Sequence, residues 1–594
     1  MLSSLLETGK YSLKQRGIDT SDILQILVEN PNSNSQYNDV ICLVLQKEGT
    51  NFRLDEIKME KFDSGKIAKY FYKSGPPSGS DYSLTSKVTS PEKTVVRLGR
   101  WVKKAVEGSR NLTDEEENML KNLQSVFDNE GDTLITEVEE RCKNISGNAI
   151  LTVKIAEHGQ EKYIGELDLF RKIFRNRNSE NLQKVSVDNQ ICAACGERKD
   201  KVYGKQTPYK FYTVDKPGYI CGLIEDDCWK NFPLCEDCML ILEDGKTYIE
   251  KNLNFRFYGF NYYIFPNLIL DNEEAREEVN EILKLSAEKQ IKMKDAKRVI
   301  GDEDEILNSL KGFKDYLCYD FLFLSKEQSA ERILLTIEGI LPSRLRNIFD
   351  AKAATDKRFG DKFPFHFGRI RTFLAKSDDD KRNYDLDKYF LEVTNKIFTG
   401  LTIEPRFIIQ MYMKKIRRDF ANLDNNSDKF FYDTKDAIVS LDFMRELGVI
   451  RFEEEYTMEI SAEFEEFFKK YSQTFNMPVK KGIFLLGTLT KDLLDKQSAD
   501  RGSMPFYKQL KGLRMAERDI KGLLPKVQNK MEEYEWFTPM RKTIANNVSK
   551  YLMSAGDNWN LSIDEINFYF SAGMNMKNEV YSYLTEILGG KKDE

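Results

Sequence analysis

The chain has 594 residues, of which 41% are hydrophobic and 12% aromatic, so it can build real cores and is not wholesale disordered. That length is too great for one core, and three or four domains are expected. Charged residues make up 31%, yet the formal net charge is only −6. Whole-chain charge therefore announces no polyanionic partner, and local distribution has to decide that question.

The opening residues, Met1-Leu-Ser-Ser-Leu-Leu, lack the basic start and long apolar run of a secretory signal. No run approaches a bilayer-spanning length; the stretch from Tyr262 to Leu270 is too short and Pro266 breaks it. A soluble, cytoplasmic protein without a membrane partner is expected. Its nine cysteines should then be reduced thiols rather than a disulfide framework.

Residues 1–60 read as a mixed α/β start. Ile23 to Val28 is helix-like or buried, Pro31-Asn-Ser-Asn-Ser is a loop, and the β-branched run Val40 to Leu45 is a strand. Residues 61–110 change character, with eleven Lys/Arg against four Asp/Glu, a local net of +7. Gly75-Pro-Pro-Ser-Gly-Ser is a loop, and a helix is expected after Pro91. On that helix Lys93, Arg97, Arg100 and Lys104 follow at spacings of four, three and four and share one face. Such a stripe is either an ordinary solvated face or a surface that neutralises phosphates. Thr113-Asp-Glu-Glu-Glu is an N-cap with an acidic first turn, and Ala149 to Ile155 alternates like a strand. Arg171, Lys172 and Arg175, followed by Arg177, are a further nucleic-acid candidate, though they can equally be solvated.

Cys192-Ala-Ala-Cys195-Gly and Pro233-Leu-Cys235-Glu-Asp-Cys238 are two Cys-x-x-Cys knuckles. They predict a structural Zn²⁺ held by Cys192, Cys195, Cys235 and Cys238 at about 2.3 Å per sulfur, with no open coordination position for catalysis. Gly196 suits the tight turn after the first pair. Four metal-free thiols are the alternative. The roughly forty-residue gap holds Tyr209-Lys-Phe-Tyr-Thr-Val, which reads as a strand of a hairpin. Cys221 and Cys228 lie in that insert and could replace one ligand, although neither belongs to a pair.

Residues 239–270 read as a strand-rich exit from this module. Residues 271–450 read as mostly helical, with a strand-like run at Tyr319-Asp-Phe-Leu-Phe-Leu. Basic clusters recur there at Arg344/Arg346, Arg369/Arg371 and Lys414 to Arg418, the last on a periodic helix Phe407 to Phe420 whose charges should face outward. Residues 451–594 read as a separate helical domain cored by Phe464, Phe467, Phe468 and the run Ile483 to Leu489. Between 480 and 550 there are fifteen Lys/Arg and eight Asp/Glu. Lys508, Lys511, Arg514, Arg518 and Lys521 recur as a continuous ridge along one helix, over Leu510, Leu513, Ile520 and Leu524, with no acid on the same face. That arrangement favours phosphate contacts.

Three blocks of motifs carry a resemblance. The first surrounds the knuckles: Tyr203-Gly-Lys, Tyr209 to Tyr219, Trp229-Lys-Asn-Phe-Pro-Leu-Cys235, Leu242-Glu-Asp-Gly-Lys246 and Phe257-Tyr-Gly-Phe-Asn-Tyr-Tyr-Ile-Phe-Pro266. The second is Leu485-Leu-Gly-Thr-Leu-Thr, Arg501-Gly-Ser-Met-Pro-Phe-Tyr-Lys508 and Trp559 to Phe570. The third is Tyr70-Phe-Tyr-Lys-Ser-Gly75 with Thr85-Ser-Lys-Val-Thr89. Together these resemble the large subunit of type I-B CRISPR interference (Cascade) complexes. The resemblance implies a non-catalytic subunit of an RNA-guided surveillance complex. Its partners would be the guide crRNA at its 5′ end, target double-stranded DNA with its flanking motif (PAM), the other subunits, and a helicase–nuclease. It also implies a C-terminal, small-subunit-like domain that some members make separately, here from Met458 or Met477.

Catalytic patterns are missing. The two histidines, His158 and His366, have no partner ligand in sequence, and no lysine completes a P-loop. A metal-dependent nuclease built from scattered carboxylates stays open as an alternative, as does a stand-alone zinc-containing regulator. The fold expected is α+β and multidomain: an N-terminal α/β domain over 1–190, a Cys₄ zinc-finger module over 191–270, a mainly helical region over 271–450, and a helical bundle over 451–594.

Overall fold

The computed structural model describes all residues except 19–21, 23, 76–78, 109–111, 146–147, 180–185, 205–207, 210–223, 270–273, 275–276, 282, 285–304, 314, 328–329, 424–426, 453–462, 472–473 and 591–594. By compactness the chain divides into two units, Met1–Lys251 and Asn252–Glu594. Among the described residues every strand lies before residue 341 and the regular structure after it is helical, so the fold is α+β.

The first unit begins with α1 (Leu2–Gln15) and the short α2 (Leu24–Leu27). Then come β1 (Tyr37–Glu48), β2 (Asn51–Lys61), α3 (Ile67–Tyr70), β3 (Ser86–Lys87), α4 (Pro91–Gly108) and α5 (Asp114–Lys143). β4 (Asn148–Glu157), β5 (Gln160–Tyr163) and α6 (Asp168–Ser179) complete the α/β part. The buried run Val40 to Leu45 makes β1 the inner strand, antiparallel to β2 and parallel to β4. A parallel neighbour needs a long crossover, and α3 to α5 supply it. The sheet order is β2-β1-β4-β3, with β5 also on β4. α5 starts at a capping box between Thr113 and Glu116, as its acidic first turn foretells. Leu98, Trp101 and Phe127 from α4 and α5 share one core with Phe170 and Phe174 of α6 and Ile41, Leu43, Leu151 and Val153 of the sheet. On the other side of the sheet, buried Lys154 pairs with Glu60 and, at 3.3 Å, with Glu161. Burial pushes the Glu60 carboxyl up, but the hydrogen bonds from Lys154 and Tyr163 outweigh it and hold it at about 2.

The unit closes with the hairpin β6 (Ser186–Ile191) and β7 (Arg198–Tyr203) and with α7 (Glu236–Asn252). The strand-rich exit expected from residue 239 is therefore corrected: residues up to Asn252 are helical. α7 is bound to α1 backbone to backbone. A Cβ on Gly9 would stand 2.1 Å from the Ile241 carbonyl oxygen, and one on Gly245 2.2 Å from that of Leu5. Arg16 pairs with Asp244 beside this crossing.

The second unit starts with the hairpin β8 (Asn254–Phe257) and β9 (Phe260–Leu268), turning at Tyr258 and Gly259, both at positive φ. After α8 (Glu305–Leu310) come β10 (Leu317–Glu327) and β11 (Ala330–Ile340), giving an antiparallel sheet β11-β10-β9-β8. Phe257 packs its ring on Phe323, Phe367, Phe390 and Phe398. α9 (Pro342–Phe359) follows the sheet, and those rings tie the sheet to α10 (Phe367–Leu374) and α11 (Asp387–Thr399). α12 (Pro405–Ala421) and α13 (Ser427–Glu446) follow, then α14 (Glu465–Lys469), α15 (Pro478–Arg501), α16 (Glu517–Lys521) and α17 (Leu523–Glu533). α18 (Pro539–Ser554), α19 (Ile563–Asn575) and α20 (Lys577–Gly590) end the chain. α15 and α19 cross as closely as backbones allow: a Cβ on Gly487 would lie 2.1 Å from the Phe570 carbonyl oxygen.

Three expectations are corrected here. On α12, Lys415 is buried and pairs with Asp379 and Asp433, while Arg417 pairs with Asp564 and Arg418 with Asp378, so only Lys414 faces outward. Residues 451–594 are not a separate unit, since Arg417–Asp564, Lys435–Glu579 and the Phe420–Tyr507 ring stack join them to α12 and α13. The stretch 508–521 is not one helix: a 3₁₀ turn over Pro505–Leu510 is followed by Lys511, Gly512 and Leu513 at positive φ, and only then by α16. The proposed hairpin in the cysteine insert and the start at Met458 lie outside the described residues.

Candidate metal centre and basic surfaces

The first cysteine knuckle is the turn that joins β6 to β7. The Cys192 N–H donates to the Glu197 carbonyl at 2.9 Å, the Gly196 N–H donates to the Cys192 carbonyl at 2.9 Å, and Gly196 sits at φ 72°. Only glycine adopts that conformation at no steric cost. The second knuckle runs into the first turn of α7, and paired backbone bonds between Tyr203 and Leu234, at 2.8 and 3.1 Å, dock it on β7. As a result the sulfurs of Cys192, Cys195, Cys235 and Cys238 all lie within 4.8 Å of one another. Cys192, Cys235 and Cys238 are buried and Cys195 is exposed.

The donor chemistry fits a metal ion. The Cys235 N–H points at the Cys192 sulfur at 3.3 Å, the bond expected of a thiolate held for coordination. Hydrogen bonds from the Cys235 and Cys238 thiols push the Cys192 thiol strongly down, whereas donating to Cys192 raises Cys235 to about 12. Mutual hydrogen bonding thus favours one thiolate and disfavours ionising its neighbour. A divalent ion would stabilise several, and four thiolates close its coordination sphere, so such an ion would stiffen the module rather than open a reaction site. Cys228 lies in a 3₁₀ turn, Glu225–Lys230, and Cys221 lies outside the described residues.

The basic residues read from the sequence fall into distinct environments. On α4, Thr94, Val95, Leu98, Trp101, Val102 and Ala105 face the core. Lys93, Arg100 and Lys104 are exposed and Arg97 is half-buried, and none of the four forms an ion pair among the described residues. On α6, Arg171 pairs with Asp22 at 2.5 Å and also donates to the Gly165 carbonyl, and Lys172 pairs with Glu116 at 2.8 Å. These two brace α6 against neighbouring segments. Exposed Arg175 is close enough to Glu236 to oppose the rise that burial imposes on that carboxyl.

In the C-terminal stretch all five cations are exposed, above buried Leu510, Leu513, Ile520 and Leu524. Acids do interrupt them, contrary to expectation: Lys511 pairs with Asp519 and Lys521 with Glu517, each at 2.6 Å. Lys508, Arg514 and Arg518 form no ion pair among the described residues. The mid-chain clusters are internal fastenings. Arg344 donates to the carbonyls of Ile397 and Phe398 at the end of α11, and Arg346 to those of Lys311 and Phe313. Arg369 pairs with Asp436 and Arg371 with Asp387.

Family comparison covers nearly the whole chain. Models for CRISPR-associated protein TM1802 match in order: the N-terminal domain over residues 1–176, the central domain over 189–340 and the C-terminal domain over 365–586. The chain belongs to this family of CRISPR-associated proteins. The central-domain match contains all four clustered cysteines, and the N-terminal match contains α4. No curated protein matches the chain. Among the described residues no helix is long and apolar enough to cross a membrane.

Proposed function

We propose that the protein is the non-catalytic large subunit of a type I-B RNA-guided interference complex. It would bind the 5′ end of the guide RNA, help recognise the motif flanking the target in double-stranded DNA, stabilise the opened duplex and help recruit a helicase–nuclease. Membership of a CRISPR-associated family supports this reading, and α4 carries it. Most basic clusters in this chain are consumed by internal ion pairs and carbonyls. The stripe Lys93, Arg97, Arg100 and Lys104 is instead left open on a rigid, core-anchored helix. Unneutralised, aligned cations release counterions when they meet phosphates, which yields affinity without base reading. The ion of the cysteine centre is zinc in this reading, matched to a soft four-thiolate set.

Coexpression with the neighbouring CRISPR-associated proteins tests the proposal. The chain is expected to copurify with guide RNA and sister subunits. Lys93→Glu with Arg100→Glu should weaken target-duplex binding for every flanking sequence and reduce the log–log salt slope by about 2. A chain recovered without RNA or partners, or one that cuts nucleic acid by itself with Mg²⁺ or Mn²⁺, rejects it.

A further inference from the structure

The second unit carries a groove of about 950 Å³ between β11, the β8–β9 turn and the start of α11. Neither the metal centre nor α4 makes use of it. Its acids are neutralised by cations that do not line it: Asp385 pairs with Lys381 at 2.6 Å, Asp387 with Arg371 at 2.6 Å and Glu392 with Lys396 at 3.7 Å. Of its three cations, Lys326, Arg332 and Lys388, the last two are exposed and form no ion pair among the described residues. The unbalanced charge of the lining is therefore positive.

The same walls expose Tyr384 by 57% and Ile333 by 43%, both large apolar groups. Arg371 and Lys376 lie over the Tyr384 ring at 5.4 and 5.0 Å, which fixes its orientation. A basic groove with an oriented, accessible aromatic ring matches a polyanion that also carries flat apolar faces. Phosphates answer Arg332 and Lys388, and a base answers Tyr384. An acidic peptide would satisfy the charges and leave the ring without a stacking partner.

We propose that this groove binds a short stretch of single-stranded nucleic acid, independently of α4. Anisotropy of a fluorescein-labelled oligothymidylate on the full chain, from 50 to 200 mM salt, tests it. Arg332→Glu with Lys388→Glu should weaken binding at least about tenfold and lower the salt slope by about 2. Tyr384→Ala should weaken it about five- to fifty-fold with the slope unchanged, since stacking carries no counterion release. An oligonucleotide bearing 5-iododeoxyuridine should photo-crosslink to Tyr384, a readout that does not depend on α4. Unaltered affinity in both groove variants, or crosslinks confined to other segments, overturns the proposal. If Lys93→Glu with Arg100→Glu still weakens duplex binding in that case, the α4 reading survives it. Competition by polyglutamate as effective as by unlabelled oligothymidylate also overturns it, because the ring would then recognise nothing. Arg332→Ala with Lys388→Ala, which introduces no new charge, should show the same direction if the reversed variant does not fold.

Discussion

Single residues here have roles their types only partly announce. His366 is half-buried before α10, beside the Tyr258 ring. Burial, with Arg369 and Lys352 nearby, pushes its imidazole down to about 4. The unfolded chain then binds the extra proton first, so stability falls as pH drops from about 6.5 to about 4. His366→Phe should flatten that fall by about 1–2 kcal/mol, discounted for partial exposure, in urea melts at successive pH values. Parallel pH profiles for the two proteins would contradict this. At the metal centre, Cys192→Ser with Cys195→Ser should reduce bound zinc from about one ion per chain to nearly none and destabilise the β6–β7 module. Elemental analysis showing full zinc would reject the ligand assignment.

At the scale of elements, legibility followed the physics of each pattern. β1, β4, α4 and α5 were readable because a buried β-branched run, an alternation, a Pro start and a capping box are local signals. The knuckles were readable because Cys-x-x-Cys spacing is a local signal that brings two sulfurs to one turn. β2 went unread because its strand is mostly polar and exposed, as an edge strand can be. The 508–521 ridge misled because its three- and four-residue spacing suits a helix, while Gly512 and its neighbours at positive φ break the backbone there. The inward charges of α12 were illegible because their partners Asp379 and Asp564 are remote in sequence. The pairing also sorts the ridge. Lys508→Glu with Arg514→Glu should weaken single-stranded DNA binding more than Lys511→Glu with Lys521→Glu, since the latter pair already spends its charge on Asp519 and Glu517. Equal losses in filter-binding titrations would argue that those ion pairs open freely.

At the scale of the whole molecule, the C-terminal helices share their core with the helices before them. A fragment from Met477 would remove Phe464, Phe467 and Phe468, whose rings pack on Phe484, Tyr551 and Tyr583. A fragment over 458–594 keeps those rings but strands Asp564 and Glu579 without Arg417 and Lys435. Buried charge partners removed in this way cost about 3–5 kcal/mol where the survivor stays buried and much less where it reaches water. Residues 252–594 are therefore expected to unfold in one cooperative transition, and 458–594 alone to be less stable and to regain stability when 252–457 is added. Calorimetry finding equal melting midpoints for the two fragments would restore an autonomous bundle.

The backbone crossing at Gly9 and Gly245 has a temporal consequence. The first helix of the chain cannot acquire its partner until residue 252 has left the ribosome, although the sheet that follows it can close once β5 is made. At about 5–20 residues per second, α1 waits roughly ten to fifty seconds with its apolar side uncovered. Because α7 also contributes Cys235 and Cys238, completion of the cysteine cluster and the capture of α1 become one late event in synthesis. The nascent chain would stay sensitive to proteases in α1 until α7 is finished.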